Sequence, residues 1–208
     1  MIKDVIILGS TGSIGKSTLK SLKNNKNYKI KLLSTNRNVS EIYKQAVSYK
    51  VRNVILENRH IYEKHKKKFI KKNIKLHLGI NNIKKIIKKK ADYSVNAISG
   101  INGLEPTLKI IPLTKNILIA NKESIICGWD LILKKLKKFK TRFIPIDSEH
   151  FSIWSLIKNE NLNDIEKIIL TASGGPFLNK SLKQLYVIKP KMALRHPNWK
   201  MGKKISID

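Results

Sequence analysis

The chain has 208 residues, enough for one large domain or one domain with part of a second. Its net charge is +29, from 43 basic and 14 acidic residues, but the lysines are spread over nearly every predicted helix. Aromatic residues, at 7%, do not interleave with the basic runs, so no base-stacking platform is indicated and a dedicated nucleic-acid binder is disfavoured. The excess charge still favours anionic ligands such as phosphates.

The one cysteine, Cys127, forbids an internal disulfide and points to a reducing compartment. It lies in an apolar helical pattern and is expected to be a core thiol. No apolar run approaches membrane-spanning length, and the N-terminus enters a strand directly without a signal peptide pattern. A soluble, cytoplasmic protein with no membrane partner is expected.

The first element is an apolar run, Val5 to Leu8, which reads as a buried parallel strand. It enters Gly9-Ser10-Thr11-Gly12-Ser13-Ile14-Gly15, and a helical pattern starts near Ile14. Glycines let the backbone turn tightly and approach a ligand, and the helix start offers free N–H groups and a positive dipole end. Together these suit a pyrophosphate. Gly15-Lys16-Ser17 ends like a P-loop, but position 10, where that motif needs its first glycine, is Ser.

Tyr28 to Thr35 reads as a second strand, followed by Asn36-Arg37-Asn38. A dinucleotide fold selecting NAD usually has a carboxylate here, and one selecting NADP has a basic residue for the 2′-phosphate. Arg37, with no acidic neighbour, points to NADPH. Next come a helix over 39–49, a strand over 54–56, a charged helix over 58–73 and a strand over 74–78. His60, His65 and His77 lack metal-like partners and read as structural or surface residues. A helix over 83–90 precedes a strand over 93–98, a turn at 99–103 and a short helix over 104–111. A strand over 116–120 runs into Asn121-Lys122-Glu123, then a helix over 124–139 and a strand over 141–146. The alternation predicts an α/β fold, a doubly wound, mostly parallel Rossmann-type sheet. Ligands in such sheets bind beyond the carboxyl ends of the strands, where the glycine turn, 121–123 and 147–150 all fall.

Asp147 and Glu149 stand two apart just past a strand. In extended backbone such residues point the same way, and a hard cation such as Mg2+ or Mn2+ would relieve their repulsion. Asp147 or Ser148 could instead cap a helix over 150–157. Lys122 could face the same site and bind a phosphate or hydroxyl oxygen. Residues 162–170 read as a further strand leading into Ser173-Gly174-Gly175, a turn able to present N–H groups and a hydroxyl to an anion. His196 could contact a phosphate or act as an acid–base group, and Trp199 and Met201 suit a lid that excludes water.

These motifs, in this order and spacing, closely resemble the 1-deoxy-D-xylulose 5-phosphate reductoisomerase family. The matching stretches are Gly9–Gly15, Asn121–Glu123, Asp147–Glu149, Ser173–Phe177 and His196–Gly202. The resemblance implies an NADP-dependent oxidoreductase of the non-mevalonate isoprenoid pathway. Such an enzyme rearranges and reduces 1-deoxy-D-xylulose 5-phosphate to 2-C-methyl-D-erythritol 4-phosphate. It implies that Thr11, Gly12, Ser13, Ile14, Asn36, Arg37, Asn38, Asn121, Glu123 and Gly202 bind NADPH. Asp147 and Glu149 would hold Mg2+ or Mn2+. Lys122, Ser148, Ser173 and His196 would contact the sugar phosphate, Trp199 would belong to the lid, and Lys122, Asp147, Glu149 and His196 would carry the catalysis. The family often has Gly where this chain has Asn36, and Asn tolerates the left-handed backbone expected there. The resemblance also implies a homodimer and a third metal-binding Glu beyond Asp208. A dinucleotide domain over 1–146 and the start of an α+β catalytic domain over 147–208 are therefore expected, and residues 1–208 alone should bind cofactor better than they catalyse. Another NADPH-dependent reductase with the same first domain is the main alternative.

Overall fold

The computed structural model describes residues 1–171 and 174–197. Seven strands form one parallel sheet: β1 Lys3–Leu8, β2 Tyr28–Thr35, β3 Asn53–Leu56, β4 Lys75–Leu78, β5 Ala91–Asn96, β6 Thr114–Ile119 and β7 Arg142–Pro145. Their spatial order is β4-β3-β2-β1-β5-β6-β7. The chain winds outward from β1 to β4, returns to β5 beside β1, and then winds the other way. The reversal places a topological switch point between β1 and β5, where Leu8 lies opposite Asn96. Ligand crevices of open α/β sheets form at such a point.

The helices of this unit are α1 Ser13–Leu22, α2 Val39–Ser48, α3 Arg59–Ile70, α4 Ile83–Ile86, α5 Leu104–Ile110, α6 Lys122–Phe139 and α7 Ser148–Ile157. Successive strand residues point to opposite faces, so β1 feeds two cores at once. Val5 and Ile7 pack with Leu19 of α1, Ile42 and Ala46 of α2 and Phe69 of α3. Ile6 and Leu8 pack with Ile83 of α4, Ile110 of α5, and Ile132 and Leu136 of α6. Burial on both faces is why the parallel strands read as continuous apolar runs rather than alternating ones.

The chain divides into two compact units, Met1–Glu160 and Asn161–Asp208. Helix α7, which lies beyond the expected boundary at Ile146, belongs to the first unit. In the second, the described residues include a 3-10 turn at Leu162–Asp164, another at Gly175–Phe177, α8 Leu182–Leu185 and α9 Pro190–Ala193. The strand expected over 162–170 is not formed: residues 165–170 pair with no strand among the described residues, and Ile168, Ile169 and Leu170 are exposed. A strand needs a neighbour to satisfy its backbone N–H and C=O groups, and an apolar run does not supply one.

Three local expectations are also corrected. Cys127 is exposed rather than buried, because the buried stripe of α6 runs through Ser124, Gly128, Ile132 and Leu136 and Cys127 lies off it. Helix α4 stops at Ile86 instead of Lys90, since Ile87 is extended and buried in the core. Asn36 is not among the non-glycine residues with positive φ, so its loop requires no left-handed backbone. Among the described residues no helix is long and apolar enough to cross a membrane.

His77 is structural, as expected. Its Nε2 lies 3.2 Å from Asn53 Oδ1 on the adjoining strand. Burial, helped by the nearby Lys75, holds its pKa below the ordinary imidazole value. The unfolded chain therefore takes up a proton at higher pH than the folded one. His77 contributes stability that is full above the ordinary imidazole pKa and is lost as pH falls through the lowered folded value. On acidification from neutral pH to about pH 5, the parent should lose more thermal stability than a His77→Gln variant, which keeps an amide donor for Asn53. Parallel melting curves at both pH values would contradict this.

Candidate functional site

The turn after β1 is shaped by two glycines for different reasons. Gly9 has φ +74°, a conformation unfavourable for other residues, and a Cβ there would lie 2.8 Å from the Ala97 carbonyl oxygen beyond β5. A Cβ on Gly15 would meet Gly9 O and Ser10 Cα at 2.5 Å, so only glycine lets α1 start this close to the strand end. Gly12 differs. Its backbone is extended (φ −76°, ψ 174°), it is exposed, and a Cβ would rest 3.4 Å from Gly9 O, at the edge of ordinary contact. It caps α1 without any side-chain oxygen, and the first turn holds no acidic residue. Neither strain nor packing demands glycine at 12, but a ligand approaching the helix N-terminus would. Ser13 is exposed beside it, Ile14 half-buried, and the Thr11 and Thr35 hydroxyls sit 2.7 Å apart.

The loop after β2 places Asn36, Arg37 and Asn38 in solvent. Asn38 caps α2, its Oδ1 accepting from the Glu41 N–H at 3.2 Å.

After β6 the helix begins at Lys122, two residues earlier than expected, with Asn121 as its cap. Asn121 is buried, and its side chain ties two loops together. Its Oδ1 accepts from the Ser124 N–H (2.8 Å), while its amide donates to the carbonyls of Ile98 and Gly100. Both amide hydrogens are engaged in holding the loop after β5. Lys122 and Glu123 then occupy the first turn of α6.

Lys122 and Glu149, on neighbouring strand ends, come together with Nζ 3.7 Å from Oε1. Both are substantially exposed, so the pair adds little stability and chiefly marks their proximity. Asp147 is the N-cap of α7: its Oδ1 accepts from the His150 N–H at 3.0 Å and lies 2.6 Å from His150 Nδ1. The capping role weighed from the sequence is thus real, but it uses one oxygen. The other, Oδ2, is buried and has no hydrogen-bond partner. Burial works to raise the pKa of this carboxyl, but the His150 backbone and imidazole contacts, with a smaller contribution from the Glu149 carboxyl, outweigh it and hold it below the usual carboxylate value. A buried carboxylate oxygen left unpartnered beside a second carboxylate suits a hard cation. Glu149 accepts from the Ser148 hydroxyl at 2.9 Å. Among the described residues no three His, Cys, Asp or Glu side chains converge where an ion could sit.

In the second unit, His196 is buried. Ser173, Trp199 and Gly202 lie outside the described residues.

Residues 5–128 match the family model for 1-deoxy-D-xylulose 5-phosphate reductoisomerase, and residues 143–208 match that for its C-terminal domain. The chain belongs to the 1-deoxy-D-xylulose 5-phosphate reductoisomerase family. The reductoisomerase of Pelagibacter ubique is 53% identical over all of this chain and 54% of its own length. That of Wolbachia pipientis subsp. Culex pipiens is 46% identical over all of this chain and 53% of its own. The chain spans about half the length of the curated relatives it matches. Among solved structures, the Zymomonas mobilis reductoisomerase in complex with NADPH superposes with a TM-score of 0.87 at 31% identity, covering 95% of this chain and 52% of that one. A reductoisomerase in complex with NADPH, fosmidomycin and magnesium gives 0.85 at 35% identity, covering 99% and 53%.

Sequence reasoning missed Gln45. This polar residue of α2 is 6% exposed, and its amide donates to the Ser10 carbonyl at 3.0 Å inside the glycine turn. Its spacing to Ile42 and Ala46, i+3 and i−1, was the available signal, since it puts Gln45 on the buried face of α2.

Proposed function

We propose that this chain forms the NADPH-binding domain and the opening of the catalytic domain of an NADP-dependent oxidoreductase. The enzyme rearranges 1-deoxy-D-xylulose 5-phosphate and reduces it to 2-C-methyl-D-erythritol 4-phosphate, with Mg2+ or Mn2+ as the metal. The observation that carries this reading is the edge where β6 and β7 end. There Lys122 stands 3.7 Å from Glu149, next to a buried Asp147 oxygen that no hydrogen-bond donor reaches. The glycine turn opens on the same edge of the parallel sheet.

When bound, NADPH supplies the hydride and the divalent ion stabilises negative charge on the substrate's oxygens. Gly12 and the N-terminal N–H groups of α1 seat the pyrophosphate, with Thr11, Ser13 and Ile14 around it. Arg37 takes the 2′-phosphate, flanked by Asn36 and Asn38. Asn121, which holds the loop after β5, is assigned with Glu123 to the cofactor, and Gly202 is assigned to it by the family resemblance. Asp147 offers Oδ2, and Glu149 its carboxylate, to the ion. Lys122 presents its ammonium to the substrate's anionic oxygens, and Ser148, Ser173 and His196 contact the sugar phosphate. Trp199 belongs to a cover that excludes water. In this reading residues 1–146 form the dinucleotide domain and 147–208 begin the catalytic one. The complete protein is a cytoplasmic homodimer.

The test titrates the complete protein with NADPH and with NADH, then assays substrate-dependent NADPH oxidation with and without Mg2+ or Mn2+. Equal affinity for the two nucleotides, or metal-independent reduction of an ordinary carbonyl compound, would point to a different reductase. Arg37→Ala should weaken NADPH binding by roughly tenfold and leave NADH almost unaffected, because only NADPH carries the extra phosphate. An unchanged affinity ratio removes Arg37 from this role.

A further inference from the structure

Gln45 projects from α2, whose Ile42 and Ala46 face the core. One would expect an apolar residue at so buried a place. Its amide nitrogen instead makes two contacts, to Ser10 O at 3.0 Å and to Glu41 Oε1 at 3.1 Å. Its oxygen is buried with no partner, which costs stability and which a role in packing alone would not require.

The two contacts lead to opposite ends of the dinucleotide site. Ser10 is fully buried in the glycine turn, and its N–H donates to the Ser34 carbonyl of β2 at 2.9 Å. Glu41 lies in the first turn of α2. Its N–H is capped by Asn38, next to Arg37, and its carboxylate is 3.7 Å from Lys16 Nζ of α1. A continuous run of contacts therefore joins the pyrophosphate turn to the Arg37 loop: Ser10, Gln45, Glu41, Asn38. We infer that Gln45 is a positioning residue for the dinucleotide, holding the glycine turn and the 2′-phosphate loop at one fixed separation. The inference rests on the NADPH reading above. Gln45 touches no ligand in this scheme. It acts through Ser10 on one side and Glu41 on the other, so a nucleotide held at both phosphates gains most from it.

The experiment titrates the complete protein with NADPH and NADH for the parent, Gln45→Met, Arg37→Ala and the double variant. Met keeps the length and packing of Gln and removes the amide donors. Gln45→Met should weaken NADPH about tenfold and NADH less. In the double variant, the effect of Arg37→Ala should shrink, because the loop is already released from the turn. A purely structural role would lower the melting temperature and leave the NADPH to NADH ratio and additivity intact. Dissociation constants within about twofold of the parent, or strictly additive effects, would overturn the inference. Should Gln45→Met fail to fold, Glu41→Ala, at a partly exposed position, replaces it in the same cycle with the same non-additivity expected, and additivity there overturns the inference too. A parent that binds no NADPH would instead refute the functional reading itself.

Discussion

Asp147→Asn in the complete protein is expected to lower metal-dependent turnover by roughly two to three orders of magnitude, while leaving α7 and NADPH affinity close to those of the parent. The substitution separates the two oxygens of this side chain. Asn is as good an N-cap as Asp, so its carbonyl oxygen can keep accepting from the His150 N–H, as Oδ1 does at 3.0 Å. What disappears is the anionic, buried Oδ2, replaced by an amide that repels a cation. A carboxylate that served only as a cap would tolerate the change almost silently. A carboxylate that holds a metal would not, and the activity should shift to higher Mg2+ or Mn2+ concentration. The decisive measurements are turnover against metal concentration, NADPH titration and helical circular dichroism on the same preparations. Unchanged metal dependence with intact helix content would return Asp147 to a purely capping role.

The parts legible in the sequence were those set by local periodicity and turn chemistry. Strand β2 runs from Tyr28 to Thr35 as read, because its apolar residues are bounded by Asn on both sides. The parallel sheet followed from apolar runs that alternate with amphipathic helices, since helices on both faces bury most residues of the central strands. Cys127 was misplaced because the buried stripe of α6 is set by small and polar residues, Ser124 and Gly128, the latter packed so close to Leu104 of α5 that a Cβ would not fit, and apolar content alone does not reveal that stripe. The apolar stretch around Ile168 to Leu170 looked like a strand because composition reports burial preference and not the presence of a pairing edge. Within the site, Asp147 invited two readings from its spacing to Glu149. Choosing between cap and ligand required knowing which oxygen was engaged, and that is a tertiary fact. The burial of Gln45 could be read from its spacing to Ile42, but its partner Ser10, 35 residues away, could not.

Gly12→Ala and Gly15→Ala, three residues apart in one motif, should fail in opposite ways. At Gly15 the new methyl would meet backbone atoms of Gly9 and Ser10 at 2.5 Å, and neither can move without disturbing β1 or the start of α1. Such overpacking typically costs about 1–3 kcal/mol, occasionally more, and lowers the melting temperature of a protein this size by roughly 2–12 °C. Nucleotide binding would weaken as well, because the turn itself is displaced. At Gly12 the backbone is extended and the methyl reaches only to 3.4 Å from Gly9 O, so the fold accommodates it. Stability should hold or rise by about 0.4–1 kcal/mol, because alanine has less freedom to lose on folding. The methyl would stand at the N-cap of α1, over the N–H groups assigned to the pyrophosphate, and should weaken NADPH binding by about tenfold or more. The pair therefore divides the motif into a glycine kept for the fold and a glycine kept for the ligand. Differential scanning calorimetry and NADPH titration on both variants read the two effects independently. If Gly12→Ala binds NADPH like the parent, the pyrophosphate does not approach α1 at its first residues, and the cofactor must be placed elsewhere along the β1–β5 edge.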